Sequence, residues 1–136
     1  MVAIATHYEG QLRCVATHGP SSVTLTTDAP KDNHGLGSSF SPTDLVATAL
    51  ATCILTTMGI VARRLEVNMD GAEADVTKEM TATPTRRVAA LPVLVRMPAG
   101  VAEDHRAALE KAAHGCPVKE SLHSSIAMPI TFEWCE

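Results

Sequence analysis

Residues 40–64 read FSPTDLVATALATCILTTMGIVARR, and any fold for this chain must first find a place for them. Asp44 and Arg63 are the only charges before the closing Arg64. Ser41 can cap a helix, Pro42 suits its first position, and Asp44 complements the N-terminal end of the dipole. Arg63 and Arg64 stand at the other end, where cations are favoured. Leu45, Val46, Leu50, Ile54, Leu55, Met58, Ile60 and Val61 place apolar groups on every face. A helix apolar all round is buried, in a core or in a bilayer. A span needs about 20 apolar residues; Leu45 to Ala62 falls short of that. The i, i+4 row Thr48, Thr52, Thr56 also suits protein neighbours better than lipid. The reading is a central helix of a soluble domain, with no membrane partner.

The remaining numbers bound that domain. A chain of 136 residues, 46% of them hydrophobic, fits one folded domain over 1–136 with room for one core. A net charge of -4 and an aromatic content of 3% argue against nucleic acid, which needs clustered cations and stacking platforms. The start, MVAIATHYEG, lacks a basic n-region and a long apolar run, so the cytoplasm is the expected location. There Cys14, Cys53, Cys116 and Cys135 are expected as thiols rather than structural disulfides. No CxxC pair occurs, which argues against a zinc ribbon or a thioredoxin motif.

In chain order, VAIATHY, QLRCVAT and SVTLTTD are β-branched runs broken by Glu9-Gly10 and His18-Gly19-Pro20, the pattern of an antiparallel meander. Arg13 and Cys14 are strand neighbours and so face opposite ways. APKDNHGLGSS is a loop, in which Gly35 and Gly37 permit close backbone approach to a ligand or serve a flexible connector. Beyond the helix, AEADVTKEMTAT predicts a half-exposed strand, and VAALPVLVRMP a strand whose Pro92 marks an edge or bulge. Gly100 to Gly115 has helical period, with Gly115 as a left-handed cap. Cys116-Pro117-Val118 then opens a short helix, placing Cys116 at an N-cap where a thiolate is favoured. MPITFEWCE closes the chain as a strand. The expected class is α+β, an antiparallel sheet wrapped around the long buried helix. One thin sheet cannot cover all faces of that helix, so a second subunit is expected.

Two thiols stand out by context, Cys53 inside the apolar helix and Cys116 at a helix start. Cys14 and Cys135 lie in ordinary strand patterns and read as structural. A buried Cys can also be an inert small hydrophobe, which leaves room for a dimeric, non-catalytic module that binds a lipophilic molecule. A metal site is the other alternative: His114, Cys116 and Cys53, with His34, His123 or His7, have donors that suit zinc.

FSPTDLVATALATC resembles the signature of the OsmC/Ohr superfamily, the osmotically inducible and organic hydroperoxide resistance proteins. There a Ser-Pro or Asn-Pro step opens a long helix that leads to a reactive Cys. CPVKESL resembles the second signature of that family, and the separation of the two cysteines (116 − 53 = 63 residues) fits it. The order of elements matches over essentially the whole chain. The resemblance implies an intertwined homodimer and a thiol peroxidase that reduces organic hydroperoxides, with hydrogen peroxide as a further substrate, in the defence against oxidative stress. It implies Cys53 as the peroxidatic thiol, Cys116 as the resolving thiol, an external dithiol as reductant and no cofactor. It also implies an arginine that holds the thiolate, for which Arg13 is the candidate, and a nearby acid. Better-known members carry a Glu where this chain has Thr43; the acid here is Asp44, one position later, which points to a less characterised branch. Nine helical residues put Asp44 about 13 Å from Cys53, so it could act only through an intermediary or from a partner subunit.

Overall fold

Residues 42–64 do form one uninterrupted helix, α1 (Pro42–Arg64), in the computed structural model, which describes all residues from Met1 to Glu136. The chain divides into two compact units, Met1–Val46 and Ala47–Glu136; α1 starts in the first and continues through the second.

The first unit holds the meander. β1 (Ile4–Gly10), β2 (Arg13–His18) and β3 (Thr24–Asp28) pair antiparallel in the order β1-β2-β3. The β1–β2 turn is tight: Gly10, Gln11 and Leu12 all have positive φ, at 92°, 56° and 63°. Ala29 to Ser39 is tied down rather than loose. Gly37 N–H donates to Ala29 O at 3.1 Å, and a Cβ on Gly35 would sit 1.8 Å from that same oxygen. The glycine therefore serves a close approach of the chain to itself. The Ser38 N–H and hydroxyl both bind the buried Asp28 carboxylate.

The second unit holds the remaining strands and helices. β4 (Glu73–Val76), β7 (Val93–Met97) and β8 (Ile130–Trp134) form one sheet in the order β4-β7-β8, and β5 (Glu79–Thr81) pairs with β6 (Arg87–Ala90). The sequence predicts one strand in each of the runs 72–83 and 88–98; each is broken in two, the second at Leu91-Pro92, because Pro cannot donate to a ladder. β7 and β8 run parallel, and an isolated parallel bridge joins Ala90 to Ala127; the other strand pairs are antiparallel. α2 (Glu103–His114) and α3 (Pro117–Ser121) lie between them in sequence. The covered side chains alternate along β7 as Val93, Val95 and Met97, and join Leu91, Val101, Leu109 and Ala113.

α1 feeds that core from one stripe. Ala47, Leu50, Ala51, Ile54, Met58 and Ala62 are buried, while Thr52, Thr56, Ile60 and Arg63 are exposed. Each large buried side chain contributes about 1.5–3 kcal/mol by burial. The helix is long and apolar enough to cross a bilayer by length and composition, but Leu50, Ile54 and Met58 are fully enclosed by protein. The sequence expects burial on every side; a single chain covers one.

Candidate active site

The start of α1 is fixed by a reciprocal cap. Ser41 Oγ accepts from Asp44 N–H at 3.1 Å, and the Asp44 carboxylate accepts from Ser41 N–H at 2.9 Å. This is a capping box with Asp in place of Glu. Asp44, a sequence candidate for chemistry, thus has a structural task at the first turn. Two and a half turns on, Cys53 is a half-buried free thiol. Its neighbour one turn along is Thr57, whose Oγ1 lies 3.8 Å from Cys53 Sγ.

Cys116 is fully buried in the second unit and is also a free thiol. It caps α3 as the sequence predicts, with extended backbone (φ -64°, ψ 137°) ahead of Pro117 and Sγ accepting from Lys119 N–H at 3.3 Å. The preceding Gly115, expected as a left-handed cap, has φ -95° instead. Its N–H still bonds back to Lys111 O and Ala112 O, so α2 runs directly into the Cys116 turn.

The expectation that this N-cap favours a thiolate is not met. Burial pushes the Cys116 thiol above its ordinary 9.0, and its hydrogen bond to Cys53 pushes the same way; the Lys119 N–H opposes both and loses. α3 is a single turn of 5 residues, too short to build a strong dipole against the loss of water. Cys116 therefore rests as a thiol, with Cys53 as its neighbour.

Arg13 belongs to the first unit. Its cross-strand partner is Asp28, so the two side chains share one face of the meander. Asp28 is held below the usual carboxylate range, chiefly by the Ser38 hydroxyl and N–H, with the Arg13 charge adding to them. Arg13 Nε and Asp28 Oδ1 are both buried without a hydrogen-bond partner. Sequence reading missed Asp28, because a carboxylate at the end of a strand reads as a turn residue. It also missed Thr57, which the i, i+4 rule would have placed beside Cys53.

His114, named as a possible ligand, lies edge-on to Phe132 with centroids 6.2 Å apart. No cluster of three or more His, Cys, Asp or Glu side chains is arranged to hold a metal ion. A groove of about 380 Å³ between α1 and α2 is lined by Thr57, Val61, Ala108, Lys111, Ala112 and Gly115. Two clefts near the C-terminal end of α1, around Asn68 and Asp70, have no cysteine in their walls.

Known proteins bear on this arrangement. None of the curated proteins searched matches the chain. A crystal structure from Psychrobacter arcticus 273-4, provisionally described as an osmotic stress induced and detoxification response protein, is 39% identical with TM-score 0.92, covering 98% of this chain and 96% of that one. An organic hydroperoxide resistance protein OsmC from Legionella pneumophila is similar at TM-score 0.79 and 17% identity, over 98% and 96% of the two chains. The organic hydroperoxide resistance protein OhrB of Bacillus subtilis is similar at TM-score 0.68 and 15% identity, over 98% of each chain. The last two likenesses show the α+β fold alone. A family profile described as OsmC-like protein matches residues 35–131, which takes in both Cys53 and Cys116. With that match and a relative 39% identical along nearly its full length, the chain belongs to the OsmC-like protein family.

Proposed function

We propose that this protein is a thiol-dependent peroxidase that reduces organic hydroperoxides, and hydrogen peroxide as a lesser substrate, by a two-cysteine cycle. The observation that carries the reading is the pair of free thiols in the second unit, Cys116 fully buried and near enough to Cys53 for the two to affect one another's charge. Relatives named for organic hydroperoxide resistance support the substrate class. The Cys53 thiolate attacks one oxygen of the O–O bond; that bond breaks, the leaving alkoxide takes a proton to become an alcohol, and Cys53 becomes a sulfenic acid. Cys116 then loses its proton and attacks the Cys53 sulfur. Hydroxide departs, takes a proton to become water, and a disulfide remains. An external dithiol reduces it by exchange, in two steps through a mixed disulfide.

Arg13 is the proposed cation for the thiolate, since guanidinium stays charged at any working pH. Asp44 enters indirectly, by fixing the first turn of the helix that carries Cys53. We further propose that residues 1–136 act as one domain within an intertwined homodimer in the cytoplasm. Exposed Val2, Ile4, Leu12, Val23 and Leu25 in the first unit, and Ile60 on α1, support the need for a second copy.

The test is intact mass before and after one equivalent of cumene hydroperoxide, followed by peptide mapping. A Cys53–Cys116 disulfide is expected. Cys53→Ser should abolish peroxide consumption, whereas Cys116→Ser should complete one turnover and stall as the sulfenic acid or over-oxidise. Unchanged consumption by Cys53→Ser would leave a non-catalytic binding module as the better reading.

A further inference from the structure

Three threonines follow one another along α1 near Cys53, and their hydroxyls are spent differently. Thr52 Oγ1 donates to Thr48 O at 2.8 Å, and Thr56 Oγ1 donates to Thr52 O at 2.8 Å. Both return a hydrogen bond to the helix backbone, the usual use of Thr within a helix. Thr57, one turn beyond Cys53, instead places Oγ1 3.8 Å from Cys53 Sγ. Thr52 and Thr56 are exposed, while Thr57 is half-buried and forms one wall of the α1–α2 groove. The rest of that wall is Val61, Ala108, Ala112 and Gly115 with the single cation Lys111, so protein donors there are few.

We propose that Thr57 is a positioning residue for the Cys53 thiolate, its hydroxyl donating to Sγ and holding the sulfur in its charged form. This inference rests on the thiol-peroxidase reading and adds a residue to it. A neutral thiol at 3.8 Å gains little from the hydroxyl. A thiolate is a charged acceptor, and hydrogen bonds to charged acceptors are shorter and roughly twice as strong. The hydroxyl therefore discriminates between the two protonation states, which is what lowers a pKa.

The experiment is the pH profile of Cys53 alkylation by iodoacetamide, with Cys14, Cys116 and Cys135 replaced by Ser, which reads the thiolate whether or not the protein turns over peroxide. Thr57→Val keeps the shape and removes the hydroxyl; Thr57→Ser keeps the hydroxyl. The expected result is a midpoint raised by about half a unit to one unit in Thr57→Val, a loss of roughly three- to tenfold in thiolate below the midpoint, and recovery in Thr57→Ser. Equal midpoints in wild type and Thr57→Val overturn the proposal. So does an equal rise in both variants, which would mean that packing, not the hydroxyl, sets the thiol. If Thr57→Val does not fold, as judged by circular dichroism, Thr57→Ala takes its place with the same two outcomes. Failure of the peroxidase reading would appear elsewhere, as consumption of peroxide by Cys53→Ser.

Discussion

Closure of the proposed Cys53–Cys116 disulfide should depend steeply on pH because of where Cys116 sits. Its thiol is fully buried, and the largest cause of its raised pKa is that burial. Oxidising Cys53 leaves that burial in place, so the same cause holds the Cys116 thiol up in the proposed resolving step. At pH 7, two units below 9.0, a thiol has less than about one part in a hundred as thiolate. The closing rate should therefore climb about tenfold per pH unit from pH 6 to 9 and level off only beyond 9.0. The assay is rapid mixing with one equivalent of cumene hydroperoxide at each pH, quenched with a sulfenic-acid trap. The ratio of trapped to disulfide-bonded protein reads closure directly. Sulfenic acid should accumulate at low pH and vanish at high pH. The same shift acts on stability: the fold favours the neutral thiol, so this contribution is present below the unfolded thiol's pKa and is lost as pH rises through the folded one. A closing rate that is flat from pH 6 to 9, or that levels off below 9.0, would refute the reasoning, since burial would then not govern this sulfur.

Other outcomes follow from the same geometry. Leu109→Ala, at a side chain with 0% exposure on α2, should cost about 2–5 kcal/mol in urea unfolding through lost burial and the cavity left behind. Arg13→Met should raise the pH midpoint of Cys53 alkylation if Arg13 supplies the stabilising charge; an unchanged midpoint assigns that role to another residue. Sedimentation at nanomolar concentration should find a dimer and no folded monomer, because the exposed apolar strands of the first unit and the open face of α1 need cover.

Much of this was legible in one dimension. Ser41, Pro42 and Asp44 mark the start of α1, and the two arginines mark its end, because capping and dipole chemistry act within a turn. The antiparallel meander and the Cys116-Pro117 helix start are equally local, since turn residues and period-2 patterns need no distant partner. Those end signals mark α1 as a helix, yet they cannot say which of its apolar faces one chain covers. That choice belongs to the rest of the fold, which encloses Leu50, Ile54 and Met58. The parallel pairing of β7 with β8 is likewise a long-range decision, made by where α2 and α3 return the chain. The clearest case is Cys116. Its N-cap position could be read from Gly115 and Pro117 and argues for a thiolate; tertiary packing removes its water and makes it a thiol. Local donors act through one hydrogen bond, whereas desolvation acts on the whole charge. So sequence alone could place the two sulfurs in their elements, but only the packed structure could decide that Cys116 keeps its proton.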